Sequence, residues 1–260
     1  MPSRAYVGLV VILSVASQLG IAAFAAASPD ERPGTTVRYH VERLADTARD
    51  LSARFTAAQR SILEKLNRAD LVHLPRLARL VVPSAWHEDD LTYSPFPVRY
   101  PAATRLSKLL VVDQPSQAFA AYEEGRLVLW GPVSSGGRVS PSPDGLFHLN
   151  WRSRGRHSTV NPEWYMQWYF NFDNVRGLAL HAQALPGYPA SHACIRLLER
   201  DANWVHGWGT GWTLGGNGRI AEPGTHLLIV GQYAFAAPPP WQSPEHLALG
   251  VELPDFSLPK

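Results

Sequence analysis

The segment "HAQALPGYPASHACIRL", residues 181–197, contains the only cysteine of the chain, Cys194, with His192 and His181 on its N-terminal side. A lone thiol between imidazoles has three readings: an inert core cysteine, a metal ligand or a nucleophile. As a metal site the segment falls short, because structural zinc takes four ligands and the chain has no second cysteine. No metal and no cofactor are expected. As a nucleophile, Cys194 must reach the thiolate form, and a free cysteine is mostly protonated at neutral pH. An imidazole brought close in space would take that proton. His181 ends the apolar run "GLALH", and Cys194 precedes a helix expected to start near Glu199. A strand end and a helix start can converge at one rim of a sheet, with Leu185-Pro186-Gly187-Tyr188-Pro189 as the turn-rich connection.

The 260 residues suffice for one main domain and a smaller piece. A net charge of +2 is too small to argue for nucleic acid. The 22 prolines and 9 tryptophans point to a loop-rich protein with aromatic surfaces suited to sugars or peptides. At the N-terminus, Arg4, the apolar run Tyr6 to Phe24 and Ala25-Ala26-Ala27 have the order of a secretory signal over residues 1–27. The run is also nearly long enough to span a bilayer, so an uncleaved segment would be a membrane anchor. No cysteine lies near it to carry a lipid. The expected location is the periplasm or cell wall, or the face of the inner membrane. Export sharpens the cysteine question, because an oxidising compartment favours paired thiols and Cys194 has no partner in the chain.

Residues 37–83 read as a small, mainly helical region. Val41, Leu44, Ala48, Leu51 and Phe55 recur at helical spacing, and Thr56 with Gln59 forms a capping-box signature for a second helix. Leu80-Val81-Val82-Pro83 reads as a short strand. Residues 84–105 are a proline- and aromatic-rich linker. From residue 106 to 232 the texture is mainly β. "QAFAAY" and "RLVLW", separated by Glu123-Glu124-Gly125, form a hairpin, "GLFHL", "GLALH" and "HLLIV" are further strands, and one helix carries Trp204, Val205 and Trp208. A proline-rich tail, 233–260, shows no chemistry. The fold class is mainly β with α.

"SHACIRL" resembles the active-site signature of the L,D-transpeptidases of peptidoglycan: a histidine, a variable loop, then Ser/Thr-His-Gly-Cys, an aliphatic residue and often Arg. His181, Ser191, His192, Cys194, Ile195 and Arg196 occupy those places. Upstream, "KLLVVDQPSQAFAAYEEGRLVLWGPVSSGG" resembles the family's opening strands, and Ser140-Pro141-Ser142-Pro143-Asp144-Gly145 its Thr-Pro-x-Gly turn. The resemblance implies a β-sandwich-like catalytic domain over residues 106–232, acting on peptidoglycan stem peptides. It implies Cys194 as nucleophile and His181 as general base, and backbone N–H groups around His192 to Cys194 as the oxyanion site. Ser191 and His192 would orient that site. Ala193 stands where the signature has glycine, and Ala182 follows His181 where glycine is common. Positive φ at residue 193 would therefore carry a left-handed penalty. Two other outcomes stay open: an L,D-carboxypeptidase that uses water, and a catalytically weak wall-binding scaffold.

Two further readings concern the substrate. Arg196, Arg152, Arg154, Trp164 and Tyr188 are candidate contacts for stem-peptide carboxylates and backbone, with Arg156 in the same basic-aromatic stretch; core or loop packing is the alternative. The N-terminal region resembles the lysin motif through Tyr39, Val41, Asp46, Thr47, Phe55, Asn67 and Pro83, with Ala45 in place of glycine. That resemblance implies glycan contact through residues 37–83, against a plain helical hairpin packed on the main domain.

Overall fold

The computed structural model describes residues 37–44 and 50–255. The signal-like segment 1–27 and the Asp46-Thr47 pair lie outside the described residues. No helix among the described residues is long and apolar enough to cross a membrane.

The chain opens with β1 (Tyr39–Arg43), α1 (Leu51–Arg54), α2 (Ala57–Asn67) and β2 (Arg79–Pro83). The helical reading of residues 37–67 fails at its start. "YHVER" pairs antiparallel with β2 from Tyr39↔Pro83 to Arg43↔Arg79, so a two-stranded ladder overrides the three-and-four spacing of Val41 and Leu44. The capping box is present: Thr56 Oγ1 accepts from the Gln59 N–H, and Gln59 Oε1 accepts from the Thr56 N–H. Asn67, at the end of α2, bonds both N–H and C=O of Val81 and so fastens the helix to β2.

The remainder is one mixed sheet of nine strands. In chain order these are β3 (Leu109–Asp113), β4 (Ala118–Glu123), β5 (Arg126–Ser134), β6 (Gly145–His148), β7 (Arg152–His157), β8 (Tyr165–Asp173), β9 (Leu178–Ala182) and β10 (Ile195–Leu197), followed by α3 (Glu199–Trp208), a small β11 (Thr213–Leu214) and β12 (Ile220–Glu222) ladder, β13 (His226–Val230) and α4 (Pro244–Leu249). Their order across the sheet is β6-β13-β3-β4-β5-β10-β9-β8-β7. The β4–β5 turn is Glu124-Gly125, both at positive φ (48° and 74°), as a two-residue hairpin of right-twisting strands requires.

The sheet curls until its first strand meets its eighth. Phe147 of β6 lies edge-on to Phe172 of β8, with centroids 5.4 Å apart. Inside the curl, Leu110, Val112, Phe119, Phe170, Leu180, Ile195 and Val205 form one apolar core under α3. This closure gives the mainly β body its sandwich-like character.

The opposite face of β3–β5 is covered by segments that composition suggested were peripheral. Ile62 and Leu66 of α2, then Tyr93, Phe96 and Tyr100 of the proline-rich stretch, pack on Leu109, Val111, Tyr122 and Trp130. The C-terminal segment joins them: Trp241 is 2% exposed, and the Arg68 guanidinium lies between its ring (5.6 Å) and that of Trp130 (5.7 Å). Trp130 is where these parts meet. It is fully buried, its Nε1 donates to Asp90 O at 2.8 Å, and its carbonyl accepts from Lys65 Nζ at 2.9 Å. Trp130→Ala should cost about 3–5 kcal/mol, read as a lower urea midpoint with one cooperative transition.

Candidate active site

His181 and Cys194 are brought together by parallel pairing of β9 and β10. The register sets Ile195 opposite Leu180 and Arg196 opposite His181. Side chains alternate along a strand, so His181 and Arg196 point to the face opposite Leu180 and Ile195, which are buried in the core. Cys194, one residue before β10, takes a backbone hydrogen bond from Ala179 and packs in part against the core. Both residues line one cleft of about 640 Å³ with Ser191, His192 and Arg196.

His181 is buried at 4% exposure, and its Nδ1 lies 3.1 Å from the Ala182 carbonyl. A carbonyl only accepts, so Nδ1 carries the proton and Nε2 keeps its lone pair. Burial pushes the His181 pKa down from 6.5 to about 4; the Ala182 hydrogen bond opposes this, and the Arg196 guanidinium adds to it. Burial moves the Cys194 thiol the other way, upward, against lowering by the Ala179 hydrogen bond and Arg196. The cleft at rest holds a neutral imidazole and a neutral thiol.

The turn before the nucleophile is left-handed. Ala193 has a φ of 72°, the conformation the signature glycine would adopt without penalty, and it costs alanine about 1–2 kcal/mol. The neighbours hold it there. The Ser142 hydroxyl, 1% exposed as a residue, accepts the Gly136 N–H at 2.8 Å and donates to the Ala193 carbonyl at 2.9 Å. Ser191 N–H donates to Ser135 O at 3.0 Å, and Ser191 O accepts from Gly137 N–H at 2.8 Å. Ser134 Oγ donates to Tyr188 O and accepts the Ala190 N–H, at 2.8 and 3.0 Å. Gly136 leaves no room for a side chain: a Cβ there would sit 2.2 Å from Ser140 O.

The other sequence candidates divide. Trp164 lines the cleft and tilts against His192 at a centroid distance of 4.8 Å. Arg196 also lines it and has no ion-pair partner among the described residues. Arg152 and Arg154 do not line it. Arg152 donates to the carbonyls of His206 and Gly209 at the end of α3, and its guanidinium lies 5.5 Å over Phe170; Arg154 acts electrostatically on His206. The cleft arginine of that strand is Arg156, packed over the rings of Trp151 and Tyr169 at 5.2 and 5.1 Å. Tyr188 is 55% exposed, outside the cleft lining, and contributes through its carbonyl. Trp204 and Trp208 stack on each other at 5.1 Å and pack against the core, away from the cleft. Sequence reasoning gave no role to Ser134, Ser135 or Ser142, although the small-residue run Ser134-Ser135-Gly136-Gly137 signals close backbone approach. Among the described residues, no three His, Cys, Asp or Glu side chains are grouped as metal ligands.

Two measurements probe this arrangement. Ser142→Ala removes an acceptor from the Gly136 N–H and a donor from the Ala193 carbonyl; the expected cost is about 1–3 kcal/mol by thermal unfolding, with slower Cys194 acylation. The second concerns pH. Between pH 6.5 and about 4 the unfolded chain protonates His181 and the folded one does not, so the unfolded state binds more protons and stability falls as pH drops. Over that window His181→Asn should shed up to ~1.4 kcal/mol per pH unit of the wild-type slope.

Residues 107–229 match the YkuD family, described as the L,D-transpeptidase catalytic domain. No curated protein matches the chain. Among solved structures, an L,D-transpeptidase from Stackebrandtia nassauensis is 18% identical over 50% of this chain and 58% of its own, with a TM-score of 0.41. One from Xylanimonas cellulosilytica is 28% identical over 48% and 60%, at 0.38, and one from Mycobacterium smegmatis 17% identical over 48% and 59%, at 0.39. The chain spans about three fifths of the length of these structures. It is to the L,D-transpeptidase catalytic domain, the YkuD family, that residues 107–229 are similar.

Proposed function

We propose that the chain is an exported peptidoglycan L,D-transpeptidase with Cys194 as its nucleophile. The observation that carries this reading is the pairing of β9 with β10, which sets His181, with Nε2 unprotonated, and Cys194 in one cleft. His181 Nε2 takes the thiol proton as Sγ attacks the carbonyl of the third residue of a stem tetrapeptide, typically diaminopimelate. Because both groups rest neutral, proton transfer accompanies attack and does not precede it as a stable ion pair. The charge that develops on the carbonyl oxygen falls to backbone N–H groups in the turn His192–Cys194, which Ser142 and Ser135 hold from behind. The imidazolium then protonates the leaving amine, D-alanine departs, and a thioester remains. An amine from a neighbouring stem gives its proton to His181 and attacks the thioester, forming a third-to-third-residue cross-link and restoring the thiol.

Arg196 is the cation placed to hold a donor carboxylate: it lines the cleft, lies in electrostatic reach of Cys194 and has no carboxylate partner among the described residues. Arg156 and Trp164 extend the wall for the stem peptide. Residues 37–83, a strand–helix–helix–strand unit, are the candidate glycan contact. The site of action is the periplasm or cell wall, with the N-terminal segment as signal or anchor.

The test is direct. With disaccharide-tetrapeptide as donor, mass spectrometry should show D-alanine release and a cross-linked dimer. Cys194→Ala should lower both by at least ~10³-fold, as loss of a nucleophile does. Release without the dimer would make the protein an L,D-carboxypeptidase. No release, with no acylation of Cys194 by a carbapenem, would leave a wall-binding scaffold.

A further inference from the structure

The loop that joins the base to the nucleophile is clasped by a residue outside the YkuD match. Asp70 follows α2 in the N-terminal unit, and it holds Leu185 at two points. Its backbone N–H donates to Leu185 O at 2.9 Å, and its Oδ2 accepts the Leu185 N–H at 2.8 Å. Alongside, Ala69 and Pro186 form an antiparallel bridge, and Leu185 is fully buried. The carboxylate cannot swing away, because Oδ1 accepts the N–H groups of Val72 (3.0 Å) and His73 (2.9 Å) and lies 2.7 Å from His73 Nδ1. Gly187, at a φ of 90°, lets the loop lie flat on this unit: a Cβ there would meet Leu77 at 3.0 Å. Glu64 of α2 pairs with Arg200 at 2.5 Å, tying the same unit to α3 just after the cysteine strand.

From this geometry we infer that Asp70 is a positioning residue for the His181–Cys194 pair, acting through Leu185. The inference rests on the proposed function for its kinetic consequence. Residues 183–194 form a crossover without a helix of its own, and a loop of this length needs external partners for its backbone groups. Ser134 and Ser135 supply them at the cysteine end, and Asp70 at the histidine end. The N-terminal unit is thereby part of the catalytic framework, whatever it binds.

Asp70→Asn in the full chain isolates the clasp. Asparagine has one acceptor oxygen where two are used; with that oxygen toward Val72 and His73, its amide N–H groups face the Leu185 N–H, donor against donor. Thr56→Ala is the control: it removes the capping box of α2 and weakens the same unit without touching Leu185. Amide exchange over residues 183–190 and the rate of Cys194 acylation by a carbapenem are measured for both. The expected result is faster exchange at Leu185 and an acylation rate at least ~10-fold lower in Asp70→Asn, with both near wild type in Thr56→Ala. Unchanged exchange and acylation in Asp70→Asn, or an equal effect of Thr56→Ala, would overturn the assignment. A wild-type thiol inert to the carbapenem would count against the proposed function instead; Leu185 exchange and iodoacetamide alkylation of Cys194 would then decide, with both altered in Asp70→Asn alone if the clasp acts as inferred.

Discussion

The parallel pairing of β9 with β10 is the constraint on which the site depends. Antiparallel neighbours can be joined by two residues, but parallel ones need a crossover of a dozen or more, usually helical. Here residues 183–194 make that crossover without a helix, and His181 and Cys194 stand at its two ends. The gain is that both side chains open to one cleft, with Cys194 two residues before the position opposite His181. The cost is a long irregular segment whose backbone groups find no ladder. Ser134 Oγ, Ser135 O, Gly137 N and the Asp70 carboxylate each satisfy one or two of them. The shell around the loop therefore supplies the hydrogen bonds that a ladder would otherwise give.

The same burial that fixes the pair also keeps it uncharged. Desolvation lowers the imidazole pKa and raises that of the thiol, so an ion pair is disfavoured from both sides. In the proposed reaction, where proton transfer accompanies attack, the charge is met as it appears by the backbone donors of the turn. The left-handed Ala193 fits this logic. Its strain of about 1–2 kcal/mol is held by Ser142, whose hydroxyl donates to the Ala193 carbonyl.

Much of this was legible in the sequence. The helix from Glu199 and the capping box at Thr56 each have a local chemical signal and lie where that signal puts them, while the turn signalled by Glu123-Glu124-Gly125 tightens to Glu124-Gly125 and the strand read as ending at His181 runs one residue further, to Ala182. The arginines show where local signals stop. A regular strand sends every second side chain to one face, so Arg152, Arg154 and Arg156 should act together. Trp168 on the neighbouring strand takes a φ of 55°, and the pairing of β8 with β9 slips between Gln167 and Phe170. After this bulge Met166 and Tyr169, three apart, both line the cleft, and so does Arg156, while Arg152 turns to the end of α3. Nothing in "WRSRGRH" announces a bulge that its partner strand creates.

The limits of the matched domain are likewise not the limits of the folding unit. Residues 107–229 include the outer face of β3–β5, on which Leu109, Val111, Tyr122 and Trp130 are all buried. What buries them comes from α2, from Tyr93, Phe96 and Tyr100, and, over Arg68, from Trp241. A chain cut to the match would present that apolar face to water, and burial of such side chains contributes about 1.5–3 kcal/mol each. It would also lose Asp70 from the His181 end of the crossover. The segments on either side of the match thus do two things at once: they complete a core, and through one carboxylate they reach the loop where the chemistry is placed.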